Sequence, residues 1–457
     1  MSKKIIMGSF HAYDIRGIYG VDFNKDDVVK IGYFFPQFFK IKKVLIGRDT
    51  RTSSDEIHDA LIHGLLSSGC DVYDAGLATT PSIYWGTAKY NFDGSIMITA
   101  SHNPKEYNGL KFSGRNASPI GYDDGLNKIE KLIQDNEKVE IVSKGTYQEF
   151  NFSKEYVDFL KKYLKSDLQL NFTIDCSNGM AGLYVHEIFT NQAKYIFDDL
   201  DGNFPNHEAN PLEEKNLKDL KKIVLEQKND FGMIFDGDAD RVMFVDEKSN
   251  FISPDLMIGL LGHYFLEERN QKGKVIQDIR TSKSVAEYLA PMGGEIVMWR
   301  VGRAYAATKL REIDGIYGGE LAGHYYFRDF YYSDSGLLAS ILITNIISDF
   351  IKKGYKVSEI IAKIKKYENS GEINFKINHK LEAMNAVKDY FINEQQPIAF
   401  YDFDGYRLDY NDWWFNIRPS NTEPYLRLIV EAKNNELLEE KLKIINNIIS
   451  NYEKDKK

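Results

Sequence analysis

Short apolar runs alternate with amphipathic stretches over most of the chain. Val44-Leu45-Ile46-Gly47 has the length and β-branched content of a buried strand, and Glu56 to Ser68 follows with Ile57, Ala60, Leu61, Gly64 and Leu65 at helical spacing. This punctuation predicts an α/β protein, with parallel or mixed sheets covered by helices on both faces. Three polar stretches read as connectors: Ser143 to Lys154, Asp246 to Asp255 and Tyr367 to Asn374. They divide the chain into segments 1–150, 151–252, 253–368 and 369–457, each of ordinary domain size. The last segment closes on Glu436 to Tyr452, patterned as an amphipathic helix with a charged outer face, and the tail Glu453 to Lys457. No low-complexity segment or short-period repeat stands out.

Composition acts mainly by exclusion. The 457 residues are 43% hydrophobic and 27% charged, enough for more than one core. A net charge of -9 argues against a general nucleic-acid binder but leaves room for a local basic pocket. Cys70 and Cys176 are the only cysteines, which disfavours a disulfide framework and a cysteine-based zinc site. No charged-then-apolar leader opens the chain, and no apolar run approaches the roughly 20 residues that cross a bilayer. The expected location is the cytoplasm, with no membrane partner.

Four short motifs carry chemistry. Asp236-Gly237-Asp238-Ala239-Asp240-Arg241 lies between the apolar runs Phe231 to Phe235 and Val242 to Val245. In an extended segment alternate side chains point the same way, so the three carboxylates are expected to converge on a hard cation, with Mg2+ the best match. Together with Glu247 they also fit the ligand spacing of a calcium-binding EF-hand loop. Arg241, however, stands where that loop needs glycine, and a strand-like run follows. A solvated acidic turn is the bland alternative.

Ser95 to Ile98 reads as a strand feeding Thr99-Ala100-Ser101-His102-Asn103-Pro104, which would display the Ser101 hydroxyl at the strand's C-terminal end. Taken alone, this is a turn before proline. A Ser–His hydrolase is not supported: neighbouring residues rarely bring ring nitrogen to hydroxyl, and the chain has no G-x-S-x-G elbow. Lys111, in Tyr107 to Phe112, is either an outward strand residue or a cation for the same site.

Arg418-Pro419-Ser420-Asn421-Thr422-Glu423-Pro424 has the donors of a phosphate cradle in a loop stiffened by two prolines. Gly318-Gly319-Glu320-Leu321-Ala322-Gly323-His324 places a carboxylate able to bridge two sugar hydroxyls in a glycine-rich turn. In isolation, His324 is a loop histidine.

Together these motifs resemble the α-D-phosphohexomutase superfamily, and within it the phosphomannomutase/phosphoglucomutase group. The likeness extends through Phe10 to Gly17, Gly47-Arg48-Asp49-Thr50-Arg51, Asp175 to Gly179, Asp201 to His207 and Asp278-Ile279-Arg280. It implies four domains around a central cleft: three related mixed-sheet α/β domains plus a smaller C-terminal α+β domain. It also implies a phosphorylated Ser101 and Mg2+ held by Asp236, Asp238, Asp240 and an oxygen of the Ser101 phosphate, with Arg241 alongside. Hexose 6-phosphate and hexose 1-phosphate, of mannose or glucose, would interconvert through hexose 1,6-bisphosphate, which is both intermediate and activator. Lys111 and His324 are the implied proton-transfer groups, and Arg16 stabilises charge near the serine. Tyr13, Arg280, Arg303, Glu320, Arg418, Ser420, Asn421 and Thr422 are the implied substrate contacts. Glu320 would orient the ring hydroxyls, and the Arg418 loop would hold the phosphate that is not reacting. Partners are small sugar phosphates, and the expected state is a monomer or weak homo-oligomer.

Two departures bear on specificity. Leu321 and Ala322 stand where the group usually has Met-Ser, which removes a hydroxyl contact to the sugar. Arg303 stands where phosphomannomutase-like members commonly have histidine, and is expected either to bind phosphate or to face solvent. Asn421 and Leu321 favour this group over phosphoglucosamine mutases. A Mg2+-dependent sugar phosphatase and a non-catalytic sugar-phosphate sensor are the rivals from other classes.

Overall fold

The computed structural model describes residues 8–135, 137–139, 144–420 and 425–452. The described residues form four sheets, and the first three share one plan. A central strand pairs in parallel with a strand on each side. Lys43–Arg48 lies between Asp71–Leu77 and Gly94–Ile98. Phe172–Asp175 lies between Ala193–Ile196 and Phe231–Phe235. Gly273–Asp278 lies between Gly294–Trp299 and Tyr317–Gly319. In each unit the third parallel strand then turns back into an antiparallel partner: Tyr107–Gly114, Val242–Asp246 or Tyr325–Phe327.

The turn-back loops, residues 99–106, 236–241 and 320–324, therefore occupy equivalent places, each at the C-terminal end of a parallel strand. They hold the serine, acidic and glycine-rich motifs. The repeat is one of topology, which a search for short sequence periods does not reach.

Burial explains the apolar runs. Every residue of Phe231–Phe235 and Val242–Asp246 is buried, so these strands read as continuous apolar segments rather than alternating ones. One core joins the three units, with Leu45, Phe231 and Tyr317 all members. The helix Gly336–Lys352 is buried from Gly336 to Ser348, as suits a helix packed in the joint between units. The fourth sheet is antiparallel throughout. It carries the helices Lys380–Glu394 and Asn435–Ser450 and has its own core around Phe391, Trp413 and Phe415. The architecture is thus three mixed-sheet α/β units and a smaller α+β unit.

The expected connectors are not plain linkers. The first contains the strand Tyr147–Glu149, paired with Asp71–Leu77. The second contains Phe251–Ile252, paired with Val242–Asp246. The third contains Glu368–Asn369 and ends inside Ile373–Phe375, both paired with Leu426–Ala432. These strands are two or three residues long, too short to show a strand periodicity in the sequence. The expected tail lies outside the described residues.

Candidate active site

The serine loop is shaped from within by Arg51. Its buried guanidinium donates to the carbonyls of Ser101, Asn103, Pro104 and Tyr107, and its Nε to Asp49. Ser101 sits at φ +52°, a left-handed conformation that costs an L residue roughly 1 kcal/mol. This turn aims Oγ at Asp236, whose Oδ2 accepts its hydrogen bond at 2.8 Å. It also corrects an expectation: Ser101 Oγ lies 3.3 Å from Nδ1 of the adjacent His102, because the left-handed residue folds consecutive side chains toward each other. Burial, then the cations Arg241, Arg16 and Lys111, push the His102 pKa well below the usual histidine range. Arg16 donates to Asn103 at 2.8 Å and to Asp14 at 2.5 Å, beside the same loop.

The three aspartates converge for a different reason than alternation along a strand. Residues 236–241 form a tight hairpin turn, with Ala239 at φ +60° and its N–H donating to the Asp236 carbonyl. Gly237 lies against the serine loop, where a Cβ would come 2.5 Å from the Ser101 carbonyl oxygen. Ligand oxygens of Asp236, Asp238 and Asp240 all fall within 4.8 Å of one another, and all three side chains are buried.

Lys111 Nζ donates to Oδ2 of Asp238 and of Asp240, at 2.6 Å each. Thr80 Oγ1 donates to Asp238 Oδ2 at 2.5 Å, docking the helix Thr80–Lys89 onto this loop. Oδ1 of Asp238 and Oδ1 of Asp240 remain buried without a hydrogen-bond partner among the described residues. Buried anionic oxygens are normally satisfied, and a hard divalent cation fits these two together with Asp236. Glu247 belongs elsewhere: its carboxylate accepts from the N–H and Oγ of Ser358, so the EF-hand reading fails.

Electrostatics sort the cluster. Burial, then Asp240 and Asp238, push the Asp236 carboxyl well above the usual range. Burial opposes ionisation of Asp240 too, but Lys111 and His324 hold its pKa at about 2. Lys111 is driven the other way: burial disfavours its charge, and Asp238 and Asp240 outweigh that and raise its pKa.

A relay runs from the acidic loop into the third unit. Arg241 Nε donates to His324 Nε2 at 2.9 Å, and Nδ1 of His324 lies 2.7 Å from Asp334 Oδ2. A guanidinium only donates, so Nε2 is the acceptor and Nδ1 carries the proton toward Asp334. Asp334 Oδ1 in turn accepts from Arg303 Nε at 3.0 Å. Burial opposes the Asp334 charge, but Arg303 and His324 hold its pKa at about 2. Arg303 is nearly buried and lies over the Tyr84 ring, 3.8 Å from its centroid, so the solvent-facing alternative is wrong.

Glu320 accepts from Tyr326 OH at 2.5 Å and from Gly302 N at 3.1 Å, and burial raises its pKa. Gly302 has φ +129°, and a Cβ there would lie 2.4 Å from the Tyr13 ring, so glycine is required. Tyr13 OH donates to the Val301 carbonyl at 3.0 Å. Asp278 binds Arg280 through Nε and Nη2 and accepts from the Leu321 N–H, tying Arg280 to the glycine-rich loop. Ala322 faces the cleft.

The fourth unit completes a cleft of about 800 Å³, its open mouth included. Arg418, Ser420 and Arg427 line it together with Arg16, Lys111 and Arg241. Asn421 and Thr422 lie outside the described residues. Although the chain is net negative, arginine and lysine dominate this cleft, which suits an anionic ligand. Arg51, Thr80, Asp334 and Arg427 were given no role by sequence reasoning. Arg51 had a signal, its place in the Gly47 to Arg51 motif. The other three owe their places to docking and strand register.

Profiles described as phosphoglucomutase/phosphomannomutase alpha/beta/alpha domains I, II and III match residues 7–140, 154–249 and 253–367, and the C-terminal domain profile matches 372–446. The chain is 37% identical over 440 residues to a phosphomannomutase of Escherichia coli K12, covering 93% of this chain and 94% of the relative. It is 38% identical over 442 residues to a phosphomannomutase of Vibrio cholerae, at 93% and 94% coverage. A solved phosphoglucomutase/phosphomannomutase family protein from Burkholderia thailandensis superposes with a TM-score of 0.88 at 28% identity, covering 99% of both chains.

Four such units closing on one cleft define a phosphohexomutase. The chain belongs to the phosphoglucomutase/phosphomannomutase family. Among the described residues, no helix is long and apolar enough to cross a membrane.

Proposed function

We propose that the cleft interconverts hexose 6-phosphate and hexose 1-phosphate, of mannose, glucose or both, through phosphorylated Ser101 and hexose 1,6-bisphosphate. One observation carries the reading: the Ser101 hydroxyl donates at 2.8 Å to a buried acid cluster whose Asp240 lines the same cleft as a separate group of arginines around Arg418. The reacting and the retained phosphate thus each have a cationic site. A hydrolase needs only the first.

In the forward half, the sugar hydroxyl oxygen bonds to the phosphorus of the phosphoserine, the bond to Ser101 Oγ breaks, and the hydroxyl proton leaves to a base. After the bisphosphate turns round, its other phosphoryl group returns to Ser101 Oγ and the freed sugar oxygen regains a proton. Mg2+ held by Asp236, Asp238 and Asp240 would supply charge against the phosphoryl oxygens. Arg16, Arg241 and Lys111 add fixed positive charge around the same oxygens. Of the two proton-transfer candidates, Lys111 is clamped as a cation by two carboxylates. His324 offers a lone pair, now directed at Arg241, with Asp334 behind it to stabilise the protonated ring.

Glu320 has one protein donor on each oxygen, which leaves lone pairs for ring hydroxyls. Arg303 has a buried Nη2 without a hydrogen-bond partner among the described residues, which supports a phosphate-binding part for it. Arg418 and Ser420, with Asn421 and Thr422, would hold the distal phosphate.

The test is a coupled assay with hexose 1-phosphate, Mg2+ and a trace of 1,6-bisphosphate, in which 6-phosphate forms without release of inorganic phosphate. Stoichiometric inorganic phosphate would indicate a phosphatase. Inactivity of phosphorylated, metal-loaded protein on every hexose phosphate would indicate a sensor. Comparing mannose, glucose and glucosamine 1-phosphates on one preparation separates the mutase subgroups.

A further inference from the structure

The arginine cradle already holds a carboxylate. Glu372 lies in the segment that joins the third and fourth units, directly after Gly371. Its Oε1 is 2.8 Å from Arg427 Nη1, while Oε2 is 3.5 Å from Arg418 Nη2 and 3.8 Å from Arg280 Nη1. Three guanidinium groups thus surround one acid. Arg418 and Arg427 stand directly opposite each other in the antiparallel register, a like-charge pairing that is unfavourable unless an anion lies between. Burial, then the charge of Arg280, lower the Arg418 pKa, as expected where positive charge is under-compensated. Arg418 Nε is also buried with no hydrogen-bond partner among the described residues.

We propose that Glu372 is an internal stand-in for the substrate's distal phosphate: it holds the three arginines together in the empty cleft and is expelled when the phosphate arrives. This rests on the reading of the cradle as a phosphate site. A phosphate brings close to two negative charges and three acceptor oxygens against one charge and two oxygens, so it wins the cradle. The two longer distances leave Arg418 and Arg280 only loosely engaged, ready for a better acceptor. Glu372 can leave at little cost, because its side chain is 24% exposed. Its neighbour Gly371 has φ +68° and nothing within 4 Å of a Cβ position, so the space beside the Glu372 side chain is open. The same contact has work midway through the cycle, when the bisphosphate must release the cradle in order to turn round. Glu372 then covers the arginines and keeps them from trapping the intermediate.

The experiment is calorimetric titration of the full-length protein with glucose 1-phosphate, alongside steady-state kinetics. Glu372→Gln keeps the shape and removes the charge, and is expected to bind roughly tenfold tighter, about 1.4 kcal/mol. It should also lower KM and slow kcat as release becomes limiting. Glu372→Asp, which restores the charge on a shorter arm, should return affinity toward the parent value. A residue that merely scaffolds the arginines would give the opposite sign, so weaker or unchanged binding by Glu372→Gln overturns the proposal. Arg418→Gln keeps the two readings apart. If it weakens binding while Glu372→Gln fails to tighten it, only the stand-in is lost. If Arg418→Gln leaves binding unchanged, the cradle itself is misread and the proposal falls with it.

Discussion

Lys111 Nζ lies 2.6 Å from Asp240 Oδ2, joining a strand of the first unit to the hairpin turn of the second with both side chains buried. The ammonium group takes Oδ2 of Asp238 and of Asp240 and leaves Oδ1 of each without a hydrogen-bond partner among the described residues. Lysine and a divalent cation can therefore share the same carboxylates.

Lys111→Met should consequently behave differently with and without metal. Stripped of divalent cations, the variant holds buried carboxylates without their counter-charge, a loss of about 3–5 kcal/mol for a broken buried pair. Excess Mg2+ should restore much of that stability. Denaturant unfolding in chelator and in Mg2+ measures the difference, and equal losses in both would show that the cluster does not hold a cation.

Ser101→Ala should fold normally, because Arg51 grips the loop through carbonyl oxygens and not through the hydroxyl. Turnover should fall at least about a thousandfold, as on removal of a nucleophile. Intact mass after incubation with 1,6-bisphosphate should show no added phosphate. Full activity in this variant would end the covalent scheme.

Acid stability should report on Asp334. Its folded pKa of about 2 lies below the ordinary aspartate value, so its stabilising contribution is complete above about pH 4 and is lost as pH falls through 2. That contribution is on the order of 2 kcal/mol for a fully buried group. Asp334→Asn should therefore flatten the stability profile between pH 4 and pH 2, measured by urea unfolding across that range. An unchanged slope would mean that the Arg303 and His324 contacts do not hold in solution.

Ala322→Ser restores a hydroxyl on the cleft wall beside Glu320. One added hydrogen bond to the sugar is worth about 1 kcal/mol, so KM should fall several-fold with kcat nearly unchanged. The ratio of mannose to glucose 1-phosphate efficiencies, measured on the same preparation, shows whether the contact discriminates at C2.

What the sequence made legible and what it did not follow one physical line. Buried strands such as Phe231–Phe235 announce themselves because both faces are covered. The Ser101, Asp236 and Arg418 motifs stand out because several polar groups crowd into a short turn. Features set by relations between distant segments were silent. Arg427 faces Arg418 only through strand register. Asp334 matters only because His324 and Arg303 arrive on either side of it. Thr80 meets Asp238 only because a helix of one unit docks on a loop of the next. The convergence of the aspartates was expected, but on the wrong backbone. An alternating strand and a left-handed hairpin turn both gather three side chains, and only φ at Ala239 tells them apart.

The hairpin reused in three consecutive units has a consequence for how this enzyme can be divided. Each copy contributes one kind of chemical group while all three share a core, so severing the chain between copies would expose that shared packing as well as scatter the chemistry. Activity is a property of the joints, and reassembly of separated pieces should recover it only when all the joints re-form together.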